Sequence, residues 1–413
     1  MLAVLANGAY RRLFAAQIVA LLGTGLLTVA LGLLAYDLAG NLAGAVLGTA
    51  LAIKMVAYVG IAPVIAALVE RLPKKTVLVG ADVVRGAMAL CLPLISEVWQ
   101  IYVLIFLLQA ASATFTPAFQ SLIPSVLTDE RDYTKALSLS RLAYDLESLV
   151  SPVLAAALLT VISYHSLFMG TAAGFAFSAL MVLGCRLPAV RRGPVEGSLW
   201  HRTTLGARIF WRTPALRGLM GLNFVVACAT ALVLVNSVVY VRELYGRPET
   251  DLAVALAAYG GGSMLVALLA PRLLERFSDR QVMFTGATIL QAGLLAATAL
   301  TVFGPVGWAW WVLLGLWLIM GAGNSMVLTP SARLLRRAST ESTRSYVYTA
   351  QFSLSHACFL ITYPLAGWGG AGAGLAAVCG ALAVLAIMAK EAARSSWPRR
   401  EAAKAVMELK AGQ

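Results

Sequence analysis

The chain has 413 residues, 60% of them apolar and only 12% charged, with a mean hydropathy of +0.81. Soluble domains are about one-quarter charged, so this composition excludes an ordinary soluble enzyme or nucleic-acid-binding module. The net charge of +13 reads instead as topogenic charge on the loops of a membrane protein.

Apolar runs long enough to cross a ~30 Å hydrocarbon core as helices recur along nearly the whole sequence. Nothing basic precedes the first apolar stretch at Met1 to Gly8, so the first span reads as a retained signal-anchor rather than a cleaved leader. Six spans are predicted at 10–37, 42–69, 76–96, 98–123, 135–163 and 166–187. A basic, polar, irregular linker follows at 188–213, with Arg191, Arg192, Pro194, Arg202, Arg208 and Arg212. Six more spans are predicted at 214–240, 250–273, 282–303, 306–330, 345–367 and 370–390. The tail, 391–413, alternates Glu, Ala, Lys and Arg and reads equally as an amphipathic surface helix or a frayed end. The expectation is an all-α membrane protein of twelve transmembrane helices. Its parts are a six-helix half at 1–187, the cytoplasmic linker 188–213, a second half at 214–390 and a cytoplasmic tail.

Among the 32 Lys and Arg, only Lys54, Arg85 and Arg141 lie deep in spans, and only Arg242 and Arg247 follow the seventh. The rest gather at the N-terminus, the exits of even-numbered spans and the tail. That side is cytoplasmic by the positive-inside rule, which puts both termini inside. The cysteines Cys91, Cys185, Cys228, Cys358 and Cys379 stand singly, with no disulfide framework or metal-ligand spacing. No nucleotide-binding loop or catalytic signature is present, so neither ATP-driven transport within this chain nor enzyme activity is expected, and no cofactor is implied.

The halves repeat one another in order. Glu70 to Lys75 after span 2 is echoed by Glu275 to Arg280 after span 8. Thr116-Pro117 is echoed by Thr329-Pro330, and Ser138-Leu139-Ser140-Arg141 by Ser353-Leu354-Ser355-His356. Two parallel six-helix repeats that rock about a midplane site are a transporter architecture.

Several segments carry a family likeness: Tyr36-Asp37-Leu38-Ala39-Gly40, the loop from Ala66 to Lys75, and Ala81-Asp82-Val83-Val84-Arg85. To these add Phe115-Thr116-Pro117-Ala118 through Pro124, and Ser151-Pro152-Val153-Leu154-Ala155-Ala156. On these the chain resembles the major facilitator superfamily, most closely its third drug:proton antiporter branch of macrolide-efflux and enterobactin-exporter type. The likeness covers nearly the whole chain. Departures are Ala66 and Glu70 in the loop motif, Ser151, Ala155 and Ala156 for the glycines of the span-5 exporter motif, and Thr24 where many members carry an acidic residue.

The resemblance implies a monomeric, proton-coupled exporter of a drug-like compound or siderophore in a bacterial inner membrane. Its partners would be substrate, protons and lipid. A nickel-type divalent-metal exporter is an alternative, weakened by the lack of a His-rich loop or tail. A non-transporting membrane sensor or assembly protein is another.

Within that frame, Glu70, Arg71, Lys74, Lys75, Asp82 and Arg85 form a candidate cytoplasmic gate, since interior ion pairs serve switching as well as stability. Ionisable residues inside a membrane are functional suspects. Arg141 and Asp145, four apart, share a helix face and pair. Glu147 points about 200° from Asp145 and needs another partner; Lys54, about 18 Å along span 2, is a candidate, because spans 2 and 5 both border the central cavity in this family. Glu147 either fixes helix register or carries the coupled proton. His356 either bonds a neighbour or titrates. Gln17, Gln109, Asn223, Asn236, Trp317 and Asn324 are candidates to line the substrate cavity, or to bind neighbouring helices.

Overall fold

A computed structural model describes residues 2–39, 43–69, 72–187, 198–247, 250–304 and 307–397, and among these the chain is helical without strands. The first half comprises α1 (Gly8–Ala39), α2 (Ala43–Val56), α3 (Ala62–Leu68), α4 (Lys74–Cys91), α5 (Val98–Val126), α6 (Glu130–Leu159) and α7 (Tyr164–Leu183). After α8 (Leu199–Arg212) come α9 (Pro214–Val239), α10 (Thr250–Arg276), α11 (Asp279–Phe303), α12 (Ala309–Arg337), α13 (Arg344–Ala373) and α14 (Leu375–Ser396).

Local chemistry sets the ends. The first N–H groups of a helix lack intrahelical partners, and loop side chains supply them. Asn7 accepts from the N–H groups of Ala9 and Tyr10 at 3.1 Å to start α1. Glu97 with Gln100 and Ser278 with Gln281 form reciprocal capping boxes on α5 and α11. Gly304 (φ 78°) and Gly374 (φ 87°) take the left-handed backbone that ends α11 and precedes α14.

Among the described residues, nine helices are long and apolar enough to cross a membrane. The other three expected spans are helical for reasons that also weaken their apolar signal. Span 2 is α2 and α3 joined by a π turn, Ala57–Ile61, with Pro63 at the start of α3. Span 5 is α6, which carries Arg141, Asp145 and Glu147. Span 11 is α13. The two Thr-Pro pairs lie within helices rather than at their ends: α5 runs on past Pro117, and α12 past Pro330. Neighbouring helices can re-satisfy the carbonyl that a membrane proline frees.

The linker departs from the expectation of irregular chain, because 199–212 is the helix α8. Its narrow inward stripe includes Gly206 and Phe210. In the tail, α14 continues to Ser396, and the expected surface helix lies mostly outside the described residues.

The chain forms two compact units, Met1–Ala207 with Ser339–His356, and Arg208–Ala338 with Ala357–Gln413. The same pairings recur within the two halves: α1 with α7 and α9 with α14, α4 with α7 and α11 with α14, α4 with α5 and α11 with α12. Small residues permit the close approaches. A Cβ on Gly174 of α7 would lie 3.2 Å from the Val19 carbonyl of α1, and one on Gly221 of α9 would lie 2.6 Å from the Ala389 carbonyl of α14.

Candidate functional site

The π turn in span 2 presents Tyr58 to two other helices, α5 and α13. Its hydroxyl donates to Gln109 Oε1 of α5 at 2.9 Å. Its carbonyl accepts from Ser353 Oγ of α13 at 2.9 Å. One extra residue in the turn takes backbone groups out of the α-helical register, which suits a carbonyl bonded from outside. The Phe352 ring lies 4.7 Å from that of Tyr58, and the His356 ring stands edge-on to it at 4.8 Å. His356 Nδ1 is 2.7 Å from the Phe352 carbonyl, which can only accept, so Nδ1 carries the proton of the neutral ring.

Lys54, one turn before Tyr58, places its ammonium 5.5 Å from the phenol centroid. Glu147 is half-buried on α6 against Gly25 of α1, where a Cβ would lie 3.0 Å from Glu147 Oε1 and would collide with Ser151. Lys54, Gln109 and His356 thus come together around a tyrosine that sequence reasoning did not single out. Arg141 and Asp145 form their own ion pair at 2.9 Å. Ser140 Oγ donates to Gln17 Oε1 at 3.1 Å.

Of the six residues proposed as one cytoplasmic gate, four lie among the described residues. Glu70 and Arg71 lie outside them. Lys74 donates to the buried Ser121 at 2.7 Å and Lys75 to the Cys185 carbonyl at 3.2 Å. Asp82 and Arg85 sit two turns and more deeper, paired with each other. The Arg85 guanidinium lies between the rings of Phe115 and Phe175, at 4.2 and 4.4 Å. Aromatic faces on both sides substitute for water around this cation.

Two further sets were missed. At the start of α13, the buried phenols of Tyr133 and Tyr348 are joined at 2.7 Å, and Arg344 donates to Ser125 at 3.1 Å. In the second unit, Asp279 at the start of α11 holds Arg337 at 2.7 Å and Arg333 at 3.3 Å.

Trp317, expected at a cavity, is fully enclosed in helix packing, with its indole N–H bonded to Ser237 at 2.7 Å. Asn236 is likewise buried and bonds the Ala366 carbonyl at 3.2 Å; Asn223 and Asn324 are buried as well. Trp317 and Asn236 thus bond neighbouring helices.

The profile of the Major Facilitator Superfamily matches residues 13–248. The chain is 25% identical over 236 residues to the uncharacterized MFS-type transporter YfiS of Bacillus subtilis, covering 55% of each. It is 27% identical over 136 residues to macrolide efflux protein A of Enterococcus faecalis, covering 32% of this chain and 42% of that one. The chain therefore spans about half the length, or less, of the curated relatives it matches. The crystal structure of the human organic anion transporter TETRAN superposes with a TM-score of 0.78 at 11% identity, covering 94% of this chain and 99% of that one. At that identity the likeness is one of fold.

Proposed function

The chain belongs to the Major Facilitator Superfamily, and from that premise we propose that it is a secondary active transporter that exports a small molecule from a bacterial cell in exchange for protons. Its place is the inner membrane, with both termini in the cytoplasm. One observation supports the coupling part of this reading: Lys54 of α2 and His356 of α13 meet at the Tyr58 ring, at 5.5 and 4.8 Å, while the carboxyl of Glu147 lies half-buried on α6. Ionisable groups at membrane depth mark proton paths. In the proposed cycle Glu147 takes a proton from outside and loses its attraction to Lys54. The helices that bear them are then free to shift, and release of the proton to the cytoplasm restores the pair. The macrolide-efflux relative supports the outward direction.

The bonds Tyr133–Tyr348 and Arg344–Ser125 act in this reading as the cytoplasmic closure that opens to admit substrate. Purified protein in proteoliposomes with an imposed pH difference tests the proposal against drug-like compounds, siderophores and Ni²⁺. Uphill movement of one class, dissipating the pH difference, is expected. A protein that moves none of them under any pH difference would instead be the sensor or assembly component.

A further inference from the structure

A cavity of about 310 Å³ lies within the first unit, between the π turn and α3, helix α8, and the first turns of α13. This volume is at the lower end of the ~300–1,000 Å³ typical of ligand pockets. On α8 the wall is one stripe, Trp200, Thr203, Thr204 and Ala207, with the i, i+3, i+4, i+7 spacing of a single helix face. Val59 and Pro63 stand on the span-2 side, and Tyr346 and Leu354 on α13. Trp200 is 73% exposed and Tyr346 only 4%, so one ring marks the rim and the other the interior. Helix α8 is seated on α13 by a backbone contact, since a Cβ on Gly206 would run into the Tyr346 carbonyl and lie 2.8 Å from the Ala350 side chain.

The chemistry of the wall restricts the guest. No acidic or basic side chain is among the described residues that line this cavity, and a charge buried without a counter-charge is costly. The smaller cavity beside it, which shares Ala66, Tyr346 and Thr349, has Lys74 and Glu341 in its wall instead. Two hydroxyls of the larger cavity set its polarity. Thr204 Oγ1 donates to the Trp200 carbonyl at 2.9 Å, and Ser353 Oγ donates to the Tyr58 carbonyl at 2.9 Å. A hydroxyl has one proton to give, so toward a guest both oxygens act as acceptors. The two aromatic residues, at rim and interior, suit a guest that carries rings.

We propose that this cavity binds an uncharged, ring-bearing small molecule with a hydrogen-bond donor, and that the bound molecule pins α13 to the π turn and slows transport. The walls include both the Tyr58–Ser353 bond and the seat of Gly206 on Tyr346, so a guest adds contacts to this arrangement of the three segments. Binding stands on the wall chemistry alone. Only the slowing rests on the transport reading above.

The test titrates the full chain in nanodiscs with 4′-iodobiphenyl-4-ol, with its methyl ether, which lacks the donor, and with the anionic 4′-iodobiphenyl-4-carboxylate. Concentrations are corrected for partition into empty nanodiscs. The signal is heavy-atom quenching of Trp200, read as the difference between wild type and Trp200→Phe. The phenol should bind about fivefold more tightly than the ether, the worth of one neutral hydrogen bond, and the carboxylate should not compete. Thr204→Val combined with Ser353→Ala should bring phenol and ether level. Ala207→Phe, which fills the cavity from α8, should abolish quenching by both, and Thr203→Leu is the second filling variant should Ala207→Phe not fold. A phenol no tighter than its ether in wild type, competition by the carboxylate, or quenching untouched by filling would each overturn the site. Saturating phenol should also slow substrate counterflow in proteoliposomes, and undiminished counterflow would overturn the pinning. Loss of specific quenching with intact proton-linked flux sinks this site alone, whereas specific binding without flux of any substrate sinks the transport reading and leaves the site.

Discussion

The phenol of Tyr133 on α6 meets the phenol of Tyr348 on α13 across 2.7 Å, and both side chains are buried. A bond made away from water between two neutral hydroxyls is worth about 0.5–1.5 kcal/mol net. Tyr133→Phe and Tyr348→Phe should therefore be less than additive, with a coupling energy of that size in a double-mutant cycle. Thermal unfolding of the four purified proteins measures it. Strict additivity would mean that the two hydroxyls do not hold α6 and α13 together.

Gly25 gives a steric prediction. A methyl there would meet Ser151 and crowd Glu147, whereas a Cβ on Gly32 of the same helix meets nothing within 4 Å. Gly25→Ala should cost about 1–3 kcal/mol through overpacking and impair transport, with partial recovery in Gly25→Ala/Ser151→Gly. Gly32→Ala should instead gain about 0.5–1 kcal/mol, as alanine does over glycine in a helix interior. Matched melting curves decide the issue, and equal behaviour of the two variants would refute the contact.

Asp129, on the loop before α6, gives the pH-dependent case. Its carboxylate accepts from the N–H of Asp132 at 3.0 Å and from that of Arg131 at 2.9 Å. The Asp132 bond, then the Arg131 bond, holds its pKa below the ordinary carboxylate value. A group depressed in the folded state contributes stability above its unfolded pKa, about 3.9, and loses it as pH falls toward the lower native value. Asp129→Ala should thus be less stable than wild type at neutral pH, with the gap closing in acid. Asp129→Asn, which keeps a capping oxygen, should show a smaller gap. A gap that widens in acid would contradict the cap.

The spans were legible because a twenty-residue apolar run has few alternatives, and the Arg141–Asp145 pair because a spacing of four is local. What stayed hidden needed rotation or distance. Trp317 looks available from its depth, yet its helix turns it into packing against Ser237. Tyr58 takes its meaning from Ser353, 295 positions away. Helix α8 hides in a polar linker because its inward stripe, which includes Gly206 and Phe210, is narrow. Asp279 was visible as part of a repeat, but its partners Arg333 and Arg337 lie beyond the predicted end of span 10 at 330. The helix continues through Pro330, and that continuation brings them to it.

Asp279 and Asp251 separate a buried carboxylate from a half-buried one. Asp279 is 4% exposed in its side chain and holds two arginines, whereas Asp251, 19% exposed, pairs with Arg247 at 2.5 Å. Removing one member of a buried set leaves uncompensated charge, so Asp279→Ala should cost toward about 3 kcal/mol. Asp251→Ala should cost no more than about 1 kcal/mol. High salt should narrow the second effect and leave the first nearly intact. Comparable losses, equally sensitive to salt, would show that Asp279 is in effect solvated.

Glu147 bears most directly on the proposed coupling. It faces away from the Arg141–Asp145 pair and rests against Gly25. Glu147→Gln keeps the shape and removes the proton-dependent charge. Uphill, pH-driven export should fall by a factor of about 100 or more, the scale for loss of a positioned proton carrier. Downhill exchange of substrate should survive, because it needs the rocking but not the proton. Lys54→Ala should leave uphill export measurable and move its pH optimum, since the carboxyl loses the cation that favours its charged form. His356→Gln should retain coupling if the ring serves mainly to brace Tyr58 and Phe352. These are readings of substrate accumulation against pH in proteoliposomes, with counterflow as the control for folding. A Glu147→Gln protein that still concentrates substrate in response to a pH difference would remove this carboxyl from the proton path and leave Asp145 and His356 as the groups to test.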